Sequence, residues 1–143
     1  MDRGPRLGVG VSVVNASNES EIDAAYSRFA RERPDGILIM DNPINYRYRQ
    51  LITARAAAAH IPSIYPTGDY VDAGGFMSYG VSFADQGRRA ASYVDKILKG
   101  AKPSDLPVEQ ATQFELIFSS KATRALGIKI PGSLLMRADR VID

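Results

Sequence analysis

A chain of 143 residues, 45% hydrophobic and 24% charged, has the composition of one globular domain, long enough to bury a core without disulfide or metal staples. Its 18 basic and 16 acidic residues leave a formal charge of +2, and the bases are scattered, which excludes the massed positive surface of a nucleic-acid binder. The absence of cysteine and the presence of one histidine, His60, exclude disulfides, thiolate metal sites and multi-histidine zinc clusters.

The opening stretch MDRGPRLGVGVSVVN has a basic start but no long apolar segment or small-residue cleavage site, and no run approaches a membrane span, so the chain as written is expected to be unexported. LGVGVSVV, residues 7–14, is apolar and rich in valine, as a strand requires, and the polar cluster NASNES stops it. Asn18 with Glu21 three residues on is a capping-box variant. It opens an amphipathic helix whose apolar face carries Ile22, Ala25, Tyr26, Phe29 and Ala30 and which Pro34 ends. GILIM, residues 36–40, is a short continuous apolar run of the kind covered on both sides in a parallel sheet. Residues 44–60 predict a single helix with an alanine-rich end, stopped by Ile61-Pro62. SIY follows as a strand, Asp69 to Ala73 as one helical turn, and FMSYGV as another strand. Residues 83–100 carry the clearest helical stripe: Phe83, Gly87, Ala90, Ala91, Val94, Ile97 and Leu98. Pro107 to Gln110 and Phe114 to Phe118 read as extended, Ser120 as the cap of a short helix through Leu126, and the tail as one further turn.

Strands alternating with helices predict an α/β fold, a three-layer α/β/α sandwich around a mostly parallel sheet. Ligands of such sheets bind beyond the carboxyl ends of the strands, which selects Asn15, Asp41, Asn42, Tyr65 and the Tyr79-Gly80 pair. Carboxylate, amide and phenol groups at one rim suit a small polar or zwitterionic molecule. Asp41-Asn42-Pro43 equally has the chemistry of a turn and helix cap, and spacing alone favours that reading; for Tyr65 and Tyr79 the two readings stand level. His60, at a helix end before a proline, reads as a cap. The run Tyr46 to Arg49 reads as a solvated face, and Asp69 and Asp72 as exposed acids. No dinucleotide fingerprint, phosphate loop or nucleophile elbow is present, so the chain is not expected to be an enzyme, nor to need a cofactor or metal.

DGILIMDNP, and then the run from HIPSIYPTGDYVDAGGFMSYG through YVDKILKGAKPSDLPVEQ to IPGSLLMRAD, resembles the carboxyl-terminal half of the ABC-transporter substrate-binding proteins of the type I periplasmic-binding fold. The branch it most resembles is thought to bind amino acids, aromatic ones included. The resemblance implies two α/β lobes closing over a solute, with ligand contacts at Asn15, Asp41, Asn42 and Tyr79 and a hinge in FMSYGV at Ser78 and Gly80. Tyr65 and Tyr70 are then available to line the cleft. It divides the chain into a second-lobe segment (1–80), a hinge and returning helix (81–106) and a crossing strand with terminal segment (107–143), the amino-terminal lobe being absent. It also implies permease partners and a periplasmic or lipid-anchored location, cytoplasmic if Met1 is the true start. With the cover of the 83–100 stripe missing, a homodimer is expected. The function expected is a solute-binding component of an ABC uptake transporter, or a truncated remnant of one. The alternative is a stand-alone α/β interaction or regulatory domain without a small-molecule ligand.

Overall fold

The computed structural model describes residues 2–4, 8–110 and 113–143. Its elements in chain order begin with β1 (Asp2–Gly4), β2 (Val9–Val11), α1 (Glu19–Glu32) and β3 (Ile37–Leu38). Next come α2 (Pro43–Arg47), α3 (Arg49–Ala58), β4 (Ser63–Tyr65), α4 (Gly68–Asp72), β5 (Met77–Val81) and α5 (Phe83–Leu98). After a 3-10 turn at Pro103–Asp105 the chain ends with β6 (Phe114–Ser119), α6 (Ser120–Leu126), α7 (Gly132–Leu135) and β7 (Arg140–Ile142). The class is α/β with a mostly parallel sheet.

That sheet has five strands in the order β3-β4-β5-β6-β7. β3, β4 and β5 run parallel, β6 pairs antiparallel with β5, and β7 runs parallel to β6. The predicted first strand does not join them. β2 pairs antiparallel with β1 in a separate ribbon, and Val9 and Val11 stay exposed.

Register explains which side of the sheet is filled. Tyr65, Ser78 and Ile117 are ladder partners and share one face, because side chains alternate along a strand. On that face Tyr65 meets Ile22 and Tyr26 of α1, Ile52 and Ala56 of α3, and Tyr70 of α4 in one buried cluster. α1 is placed by its cap: Asn18 accepts from the Glu21 amide at 3.0 Å, and Glu21 accepts from the Ser17 amide at 2.7 Å and from the Asn18 side-chain amide at 2.9 Å. An ion pair from Arg55 to Asp23 at 2.7 Å links α3 back to α1 across an exposed surface, where it adds little to stability.

Several sequence expectations are corrected. The helix predicted over 44–60 is two helices, broken at Tyr48, whose ψ of 16° takes it out of the helical run. The cap of α6 is Ser119, one residue earlier than expected; its hydroxyl accepts from the Ala122 amide at 3.1 Å. The tail holds a strand besides its helical turn: the Asp139 carboxylate accepts from the Leu116 amide at 2.8 Å and seats β7 beside β6. Pro107–Gln110 has no strand assignment. The helix over 83–100 is present as α5, yet none of its residues is buried.

Candidate functional site

Because β3, β4 and β5 are parallel, their carboxyl ends open on one edge of the sheet. β3 continues through Ile39, whose amide donates to the Ile64 carbonyl at 3.0 Å, and delivers Asp41 to the rim. Asp41 is exposed and makes no hydrogen bond or ion pair with a described residue. Asn42 is the cap of α2. Its side-chain oxygen accepts from the Asn45 amide at 2.8 Å, so the cap reading of Asp41-Asn42-Pro43 holds for Asn42, with Pro43 in the first turn. Asn45 ties the same corner by donating to the Met40 carbonyl at 2.9 Å.

Beside Asp41 lies an aromatic and charged group assembled from α2, α3 and α4. Tyr46 donates its hydroxyl to the Asp69 carboxylate at 2.8 Å, and that hydrogen bond, with the carboxylate's charge, raises the Tyr46 phenol above its ordinary value. The Arg49 guanidinium lies 4.6 Å from the Tyr46 ring centroid, and the Tyr46 ring stands edge-on to Tyr70 at 6.3 Å. Burial, then the Asp41 charge, pushes the Tyr70 phenol up to about 12. Its hydroxyl, like those of Tyr26, Thr67 and Ser78, is buried without a protein hydrogen-bond partner. Sequence reasoning set Tyr46, Arg49 and Asp69 aside as solvated. Residues 46 and 69, on α2 and α4, lie 23 positions apart and meet through tertiary packing, which no local pattern reports.

The other predicted residues divide. Tyr79 is 51% exposed and stacks on Phe114 at 5.6 Å and 21°, forming an open aromatic shelf on the sheet face opposite Ser78. Tyr65, at 1% exposure, stacks on Tyr70 at 5.1 Å inside the core and presents no open surface at the rim. Asn15 is exposed on the loop after β2, a strand outside the main sheet, so it does not sit at a tip of that sheet. Its neighbour Ala16 packs against the core cluster that Ile39 also joins. Of the two residues expected at a hinge, Ser78 is buried in the ladder. Gly80 passes so close to β4 that a side chain there would collide with the Pro66 carbonyl oxygen, which makes close backbone approach its visible requirement. His60 adopts a left-handed φ of 53° just past α3, as a helix-ending residue does. Among the described residues no cluster of three metal-ligating side chains occurs, and no helix is long and apolar enough to cross a membrane.

Beyond β3, then, the unpaired Asp41 carboxylate lies beside the Tyr46 and Tyr70 rings of α2 and α4. The family of ABC transporter substrate binding proteins matches residues 4–142, and the chain belongs to that family. No curated protein matches it. Among solved structures it is similar to a conserved domain protein from Vibrio cholerae, with 28% identity over 85% of this chain and 41% of that one and a TM-score of 0.74. A Streptococcus pneumoniae ABC domain solved in complex with L-Trp shares the fold at a TM-score of 0.84, with 24% identity over 96% of this chain and 48% of that one. So does a ligand-free, open substrate-binding protein with adhesive properties from Clostridium difficile, at a TM-score of 0.70 and 20% identity over 96% and 46%. The chain thus spans less than half the length of each of these structures.

Proposed function

We propose that this chain is the solute-binding part of an ABC uptake system and holds a small zwitterion, an amino acid, at the rim of its parallel strands without transforming it. The observation that carries the reading is Asp41, an unpaired carboxylate at the end of β3 in a corner otherwise tied by its own hydrogen bonds. A carboxylate so placed accepts an ammonium group, and the Tyr79–Phe114 shelf offers an apolar face to a side chain. The L-Trp complex of the Streptococcus neighbour supports this solute class. Asn15 and the Asn42 backbone are assigned supporting contacts, with Ser78 and Gly80 in the segment that leads from the lobe into α5. Permease subunits as partners and a periplasmic or lipid-anchored site of action belong to the same reading.

Thermal-shift and calorimetric titration with the twenty amino acids tests it. The expected result is one class of amino acid that raises the melting temperature, by about 2.7 kcal/mol of stability at a hundredfold excess over Kd, and an Asp41→Ala variant that loses the shift while keeping its fold. No shift across the panel, or a shift that survives Asp41→Ala, overturns the assignment.

The exposed stripe of α5 favours an added feature, self-association. Val94, Ile97 and Leu98 face solvent, Leu98 at 82%, and a helix with such a face buries it against another surface. We assign that surface to a second copy of the chain.

A further inference from the structure

A cavity of about 280 Å³ opens at the opposite end of the sheet from Asp41, between α3 and α6. It is bounded by residues that precede β4 and β5, among them Ile61 and Phe76, and so lies at the amino ends of the parallel strands. Its side walls are alanines: Ala54 and Ala57 on α3, Ala122 and Ala125 on α6. Side chains this short leave the two helices apart without filling the space between them. The floor includes the Tyr65 ring, which Gly75 admits; a methyl at Gly75 would lie 2.6 Å from Tyr65 Cε2.

Three hydroxyls of the wall are already engaged, and the His60 imidazole, also in the wall, has its Nδ1 3.3 Å from the Ala58 carbonyl. Thr53 donates its hydroxyl to the Ala73 carbonyl at 2.9 Å, Ser63 donates to the Ile61 carbonyl at 3.1 Å, and the Ser119 hydroxyl accepts from the Ala122 amide. The interior therefore presents an apolar surface, and a polar ligand body would lose its hydration there without replacement. No aspartate or glutamate lines the cavity, and its charged member is Lys121, which has no hydrogen bond or ion pair to a described residue. An apolar interior of this size with an uncompensated ammonium in its wall is complementary to a small molecule with one hydrophobic end and one anionic end.

We propose that this groove is a second ligand site, distinct from the rim, for a small apolar carboxylate of single-ring or short-chain size. The apolar body lies between the alanines of α3 and α6 and the carboxylate pairs with Lys121. The site stands on its own residues and does not depend on what the rim binds.

Calorimetric titration of the full chain with phenylacetate tests the proposal, with phenethylamine as the ligand of reversed charge. The expected result is saturable binding of one phenylacetate in the millimolar range or tighter, roughly Kd at or below 1 mM, and none of the amine. Lys121→Met should weaken phenylacetate binding about tenfold. Ala57→Leu and Ala125→Leu, each at an exposed position of a different helix and each keeping a good helix former, should abolish it with circular dichroism unchanged. Asp41→Ala should leave it intact, which separates failure here from failure at the rim. Absence of saturation up to about 10 mM, equal binding of the amine, or binding that survives both leucine variants overturns the proposal.

Discussion

Tyr65 and Tyr79 show how a residue's role depends on the face of the sheet it occupies. Tyr65 ends β4, and although it and Tyr70 of α4 suit a ligand cleft by type, they stack on each other inside the core. Tyr79, alike in sequence, is half exposed because it points to the other face of its strand. The buried phenols carry a consequence for pH. Burial pushes the Tyr65 and Tyr70 hydroxyls up to about 12 and that of Tyr26 further still, against an ordinary value of 10.0. A phenol that ionises later in the folded state than in the unfolded one contributes stability that is complete below the unfolded value and is lost as pH rises above it. Each such tyrosine should therefore remove stability between about pH 10 and pH 12, with a slope near 1.4 kcal/mol per pH unit. Spectrophotometric titration should show Tyr26, Tyr65 and Tyr70 among those of the seven tyrosines that ionise late, merging with the rest once the protein is unfolded in urea. Seven equivalent phenols in the native protein would contradict the packing described.

Helices capped by local chemistry were legible in the sequence. The pattern Asn18 to Glu21 marks the start of α1, and in the structure Asn18 caps the Glu21 amide while Glu21 reaches back to the Ser17 amide and the Asn18 side chain, because a cap is made by residues three or four apart. Asn18→Ala should cost about 1 kcal/mol in urea denaturation, with the m-value unchanged; a neutral result would mean Glu21 alone sustains the end of α1. Breaks set by packing were not legible in the same way. The division of α2 from α3 at Tyr48 falls inside a run of good helix formers, and it aligns Tyr46 with Asp69 on α4. The pairing of β7 depends on Asp139 reaching the Leu116 amide, 23 residues away in sequence.

At the scale of the molecule, the apolar residues divide unevenly. One face of the sheet is closed by α1, α3 and α4, while Leu38, Val141 and the β2 valines remain largely open, as does the α5 stripe. The polar side of α5 is tied to the segment that follows it, through Arg89 to Glu109 at 3.3 Å and through the Tyr93 hydroxyl donating to the Pro107 carbonyl. The solved neighbours are more than twice as long as the stretch they share with this chain, and the proposed self-association buries the stripe against a second copy. Light scattering behind size exclusion should then show a dimer at micromolar concentration, and the melting temperature should fall on dilution. Val94→Glu with Leu98→Glu should yield a monomer. A monomer in the unaltered chain would refute the assignment to a second copy.

Sequence by itself determined the α/β class, the cap of α1, the apolar stripe of α5 and the family, since each is written in spacings of a few residues or in long specific runs. Tertiary structure decided which of the aromatic and polar candidates reach a surface. It buried Tyr65, set Asn15 outside the main sheet, joined Tyr46 to Asp69 and opened the alanine groove behind them. The reason is physical: exposure depends on the face a strand presents and on which helix crosses it, and those are properties of contacts between segments distant along the chain.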